Sequence, residues 1–149
     1  MAGENIVVYN DAARKTLEGN GLAIVNGAIA QAVTAIYDII VDGAGYPHAD
    51  FALVGTFGVA PLENSVLALY ARPLDIDGLL DTAIPEATRP TYYVGAFVVD
   101  NVIVSQAMLL TAFDLPRKAE YYVHNVATGQ SLSAGWTLKV TPRTNKAAV

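Results

Sequence analysis

The sequence contains no cysteine, so neither a disulfide framework nor a thiolate metal site is available, and packing and association alone must hold the fold. Charge is also scarce. Lys, Arg, Asp and Glu make up 15% of the 149 residues, against about 25% in an ordinary soluble domain. The only histidines are His48 and His124, and neither sits in the three- or four-ligand cluster that a closed zinc site needs. Long apolar runs are missing too. The longest charge-free stretch, Gly19 to Tyr37, is interrupted by Asn20, Asn26, Gln31 and Thr34, so it does not read as the roughly 20-residue apolar span of a membrane helix. Nine basic residues face fourteen acidic ones, for a net charge of −5. The scattered Lys and Arg argue against DNA or RNA, whose phosphates require clustered cations. The start Met1-Ala2-Gly3-Glu4-Asn5 has no basic, apolar leader, and synthesis in a cytoplasm is expected. Apolar side chains are plentiful, at 53% of residues. With the membrane set aside, burial against other subunits is the remaining way to hide them.

The length fits one domain. Asn5 to Tyr9 is a short apolar run, and Asn10 or Asp11 can cap a helical turn through Ala12-Ala13-Arg14-Lys15 before Gly19-Asn20-Gly21 ends it. We expect residues 1–20 to be an N-terminal arm and 21–149 a β-sandwich domain, the competing reading being that Ile6–Tyr9 is the first strand of the sandwich itself. Asn26-Gly27 suits a tight hairpin between Leu22–Val25 and Ala28–Tyr37. A helix is the competing reading there, because Ile29, Val33, Ile36, Tyr37 and Ile40 also keep helical spacing. From Asp50 to Phe57 the pattern has period two and predicts a strand. Ser65–Ala71 predicts the next, expected to pair with it across the turn Pro61-Leu62-Glu63-Asn64. Leu74 to Pro90 reads as a long surface connection. Tyr92–Val99, Ser105–Phe113, Ala119–Asn125 and Trp136–Thr141 continue the strand pattern. The fold expected is an all-β, antiparallel β-sandwich of jelly-roll type with a short N-terminal arm.

Chemistry is thinly represented. There is no Gly-x-Ser-x-Gly elbow and no Cys nucleophile. Gly43-Ala44-Gly45 runs into Tyr46-Pro47-His48, where a dinucleotide fingerprint needs a third glycine and a helix. Asp75-Ile76-Asp77-Gly78 is the strongest hard-ligand cluster, but Leu79 and Leu80 occupy positions where a calcium loop needs a ligand and a glycine. An acidic turn is the reading preferred. No catalytic residue, cofactor or metal is assigned. The tyrosine pairs Tyr92-Tyr93 and Tyr121-Tyr122 lie on strands, where neighbouring side chains point to opposite faces, so one of each pair is expected outward, suited to a protein interface or a sugar ring.

Four stretches carry a resemblance. They are Leu69-Tyr70-Ala71-Arg72-Pro73-Leu74-Asp75-Ile76-Asp77-Gly78, then Tyr93-Val94-Gly95-Ala96-Phe97-Val98-Val99-Asp100, and Leu115-Pro116-Arg117-Lys118-Ala119-Glu120-Tyr121-Tyr122-Val123 together with Leu132-Ser133-Ala134-Gly135-Trp136-Thr137-Leu138-Lys139-Val140-Thr141-Pro142. In these the chain resembles a family of small virion structural proteins of tailed bacteriophages, over roughly Asp50 to Thr144. The resemblance implies a capsid decoration or cement protein, a β-sandwich clamped on the outer capsid surface of the virion. Its implied partners are the major capsid protein and itself, as a homotrimer. The first 45 or so residues match less well and inherit no role. A carbohydrate-binding module on a phage head or tail fibre is the alternative. The arm residues Ile6, Val7, Val8, Tyr9, Arg14 and Lys15, with Tyr92 and Tyr122, are the interface candidates.

Overall fold

The computed structural model describes residues 5–31, 36–86 and 92–147. Within them β1 (Asn5–Tyr9) and β2 (Lys15–Gly21) flank a 3-10 turn at Asp11–Ala13. There follow β3 (Ile29–Gln31), β4 (Tyr37–Asp38), β5 (His48–Gly55), β6 (Ser65–Pro73), β7 (Tyr93–Val99), β8 (Gln106–Ala112), β9 (Lys118–Asn125) and β10 (Trp136–Ala147). Every ladder is antiparallel. One sheet has the order β1-β10-β5-β8, with β2 also on β10, and the other has the order β3-β9-β6-β7, with β4 also on β9. The protein is an all-β antiparallel sandwich. Its connectivity nests: β2 pairs with β10, β3 with β9, β5 with β8 and β6 with β7, while β10–β5 and β9–β6 join these pairs into the two sheets. Among the described residues no helix is long and apolar enough to cross a membrane.

The core follows from period two. β5 buries Ala49, Phe51 and Leu53, and β10 buries Trp136, Leu138 and Val140. From the opposite sheet β6 brings Leu67, Leu69 and Ala71, and β9 brings Ala119, Tyr121 and Val123. The Phe51 and Tyr121 rings meet 5.0 Å apart. Each large side chain so placed contributes about 1.5–3 kcal/mol in transfer terms. Trp136 also donates its indole N–H to the Leu22 carbonyl at 2.8 Å. The ring fills the space where a side chain on Gly21 would stand, which is why glycine occupies that position.

Several expectations need correction. Asn26-Gly27 does turn the chain, with Gly27 at φ 85°, but it closes no hairpin. Ile24 bridges Leu132 while β3 pairs with β9, so this turn hands the chain from one neighbour to another, and Gly27 donates its N–H to the Asn125 carbonyl where the β3–β9 ladder begins. The helical alternative for Ile29 to Ile40 gives way to β3 and β4, and residues 32–35 of that stretch lie outside those described. β5 and β6 do not pair, because the turn between them crosses from one sheet to the other. The arm is shorter than residues 1–20: Lys15–Gly21 is a strand on β10, with Leu17 and Glu18 buried. The last strand does not stop at Thr141 but continues to Ala147. Pro142 is tolerated because it opposes Ala49 without needing an N–H, and its carbonyl still accepts from Asn10 at 2.9 Å.

Candidate interaction surface

β1 and the last five residues of β10 form a two-stranded ribbon, with Asn5 opposite Ala147 and Tyr9 opposite Arg143. Ile6, Val7 and Tyr9 each expose nearly half of their surface, and Val8 is half-buried. Among the described residues no second layer covers the faces of this ribbon, which is why its apolar side chains are exposed. At its base Arg143 lies over the Tyr9 ring at 5.9 Å and the Phe113 ring at 5.1 Å. Its guanidinium is 3.5 Å from the Asp50 carboxylate, with both side chains only 11% exposed. Asp50 in turn accepts the Thr111 hydroxyl at 2.9 Å. Beside this stack lies an open groove of about 430 Å³, bordered by Tyr9, Arg14, Ala52, Leu109 and Lys139.

The remaining candidates divide. Arg14 is exposed and spans Asp11 at 2.8 Å and the Thr141 hydroxyl at 2.9 Å. Lys15 is half-buried and engaged inside the chain, donating to Asp42 at 2.9 Å and to the Ile36 carbonyl at 2.8 Å, so it is a structural cation and not a docking one. Tyr92 is exposed at φ 46° and donates its hydroxyl to the Asp114 carbonyl at 3.0 Å. Tyr122 is only 4% exposed, which corrects its place among the interface candidates. It packs with Ala68, Tyr70 and Ile29 on the outer face of its sheet and donates to Glu120 at 3.0 Å. Burial, and then the Glu120 carboxylate, push its hydroxyl up to about 12. Glu120 also holds Arg72 at 3.1 Å. Tyr93 points out instead, its ring 5.8 Å from Tyr70 and edge-on. Among the described residues each ring pair is tilted or edge-on, none coplanar.

Asp75 and Asp77 organise the surface connection. Asp77 accepts the N–H groups of Leu80 at 2.6 Å and Leu79 at 3.0 Å, and these bonds hold its carboxyl below the usual range. Asp75 pairs with Lys118 at 2.7 Å beside an open cavity of about 680 Å³. Among the described residues no three His, Asp or Glu side chains gather as metal ligands. His48 accepts the Asp114 N–H at 3.0 Å and packs edge-on against Phe113. His124 lies buried beside Tyr70.

One exposed apolar feature has no counterpart among the sequence candidates. Val102, Ile103 and Val104, in the β7–β8 loop, are exposed together with Val98, Leu109 and Val54. The only sequence signal is three consecutive β-branched residues lying between Asn101 and Ser105 instead of inside a strand. No family model, curated protein or solved structure matches the chain.

Proposed function

We propose that this chain is a non-enzymatic structural protein of a bacteriophage virion, one that decorates and stabilises the outer capsid surface by binding the major capsid protein and itself. The observation that carries the proposal is the amount of large apolar side chain left exposed on a well-packed sandwich, on the ribbon at Ile6, Val7 and Tyr9 and around the β7–β8 loop. Exposed apolar patches of that kind mark interaction surfaces. The nested strand connectivity, which we read as a jelly roll, supplies a rigid body for such surfaces. The partner and the virion location rest on the resemblance to phage virion proteins read in the sequence, and on that alone. The test is co-sedimentation of the purified chain with capsids lacking it, followed by electron microscopy. Added density on the capsid exterior and a higher disruption temperature are expected. Failure to bind saturating capsids overturns the assignment.

Exposure of Tyr92 and Tyr93 favours the second reading, a carbohydrate-binding module. Stacking on a sugar ring by either tyrosine is measured by glycan-array binding and its loss in Tyr93→Ala.

A further inference from the structure

We infer that the pinned loop after β6 is a self-association element, whose Leu79 and Asp77 dock into the groove that Lys139, Ala52 and Leu109 form on a second copy of this chain. This rests on the self-association half of the proposal above and is independent of the capsid half.

The loop from Leu74 to Glu86 holds a fixed apolar tip out in water. Asp77 accepts the N–H groups of Leu80 at 2.6 Å and Leu79 at 3.0 Å. Ile76 donates its N–H to the Leu80 carbonyl at 2.9 Å, and Asp75 donates its own to the Asp81 carboxylate at 3.1 Å. The base is tied to β6 and β9. Thr82 donates its N–H to the Pro73 carbonyl at 3.0 Å, Arg72 donates to the Thr82 carbonyl at 2.8 Å, and Lys118 donates to Asp75 at 2.7 Å. Within this frame Leu79 is 87% exposed, the most of any large apolar side chain among the described residues, and Ile76, Leu80 and Ile84 are exposed with it. A loop already fixed loses little freedom on docking.

Charge says what the tip fits. Leu74 to Glu86 contains four acids and no base. Asp75 is held by Lys118, and Asp81 lies 3.7 Å from Arg72. Asp77, next to Leu79, meets backbone N–H groups and, among the described residues, no cation. An apolar tip beside an uncompensated carboxylate fits an apolar hollow beside an uncompensated cation.

The chain carries such a hollow. Ala52 lies between Lys139 and Leu109, directly opposite both in register. These three alternate with the buried Phe51, Leu53, Leu138, Val140 and Met108, so they stand on the outer face of their sheet. The short side chain of Ala52 leaves the trough, a groove of about 430 Å³, and Leu109 and Tyr9 are its exposed apolar walls. Other charges on its border are matched: Arg14 pairs with Asp11 at 2.8 Å, and Asp50 lies 3.5 Å from Arg143. Lys139 is exposed and, among the described residues, meets no carboxylate. Its charge is the counterpart of Asp77. The apolar ribbon does not fit this groove, because residues 5–9 and 143–147 bring Arg143 and Lys146 and no acid.

The loop is tied to one sheet and the groove faces outward from the other, so the two surfaces meet between copies. Reciprocal docking gives a two-fold dimer, and one-way docking gives a ring or a filament.

The experiment uses the full chain, which lacks cysteine, so each cysteine variant carries a single thiol. A tip seated over Ala52 stands beside Leu109, within disulfide reach. Mild oxidation of Leu79→Cys mixed with Leu109→Cys should therefore give the mixed dimer in preference to either homodimer, while Leu79→Cys mixed with Val59→Cys should give none. Light scattering of the unmodified chain should show assemblies larger than one chain. Lys139→Glu and Leu79→Lys should each weaken them about 10-fold or more, with unchanged circular dichroism. Mixing these two variants should restore a contact, because the first keeps an intact loop and the second an intact groove. Assemblies that ignore both substitutions and give no mixed cross-link overturn this contact and leave self-association standing. A monomer at all concentrations overturns both. Capsid co-sedimentation of Leu79→Lys reads the capsid half separately.

Discussion

β10 is one strand in two environments. From Trp136 to Pro142 it is the centre of a sheet, with β5 on one side and β2 along most of the other, and it buries Trp136, Leu138, Val140 and Pro142 against the opposite sheet. Beyond Arg143 only β1 accompanies it, and Asn145 and Lys146 are exposed. The first half has a ladder on each side and a packed layer behind it, the second a single ladder and exposed side chains, so one ladder is enough for a strand to exist while the second ladder and the covered face decide how much stability it carries.

Truncation should separate the halves most sharply. Removing residues 1–19 takes away most of β2 with the buried Leu17, and the expected result is aggregation or loss of the cooperative melt. Removing residues 1–9 takes only β1 and should leave a cooperative transition, with a loss of about 1–2 kcal/mol by urea denaturation. Equal damage from both deletions breaks the comparison. Next in size is Trp136→Ala, which empties the space beside Gly21 and strands the Leu22 carbonyl. It should cost about 3–5 kcal/mol, while Val7→Ala on the ribbon should stay within about 0.5 kcal/mol.

The sandwich was legible where burial alternates. Phe51, Leu53 and Gly55 on β5, and Tyr92–Val99 and Ala119–Asn125, lie close to their expected bounds because one face of each strand packs on the core. Partners were not legible. Asn26-Gly27 signals a turn and nothing more, and whether its flanks pair with each other or with Leu132 and β9 depends on contacts about a hundred residues away in sequence. The arm boundary failed for a related reason. Lys15-Thr16-Leu17-Glu18 looks polar enough to be loose, and only the neighbouring β10 buries Leu17 and Glu18. Among candidate interface residues, Tyr122 was misplaced because both faces of β9 are covered.

Proton titration sharpens the same contrast. Burial holds the His124 imidazole below its usual range, although its backbone hydrogen bond to Gly27 opposes this, and its Nδ1 is buried without a partner. The unfolded chain therefore binds the proton more readily. The stability tied to neutral His124 is full above the unfolded value of about 6.5 and is lost as pH falls through it toward the lower folded value. Asp77 is also held low, by Leu80 and then Leu79, and its contribution disappears only in the more acid carboxylate range. Melting temperature should fall between about pH 7 and pH 5, and His124→Gln should flatten that slope. The ribbon has no histidine, so the 1–9 deletion should keep the slope. If the deletion abolishes it, the separation of the two regions is wrong.

The smallest expected effect concerns the tether between the two regions. Arg143 belongs to both, for it pairs with Tyr9 of the ribbon and with His48 of the sheet. Its guanidinium lies over the rings of Tyr9 and Phe113 and beside Asp50. Lysine keeps the charge but loses the planar group that rests on aromatic faces. Each cation–π contact is worth about 0.5–1 kcal/mol at a partly exposed site. Arg143→Lys should therefore cost about 1 kcal/mol in total, close to the resolution of a denaturation curve, so local opening is the better measurement. Amide exchange in Asn5–Tyr9 should quicken several-fold while exchange in Trp136–Val140 holds its native rate, because the ribbon opens without the sandwich. Acceleration spread equally over both would mean that the ribbon unfolds only with the core, and the two halves of β10 would then be one cooperative unit.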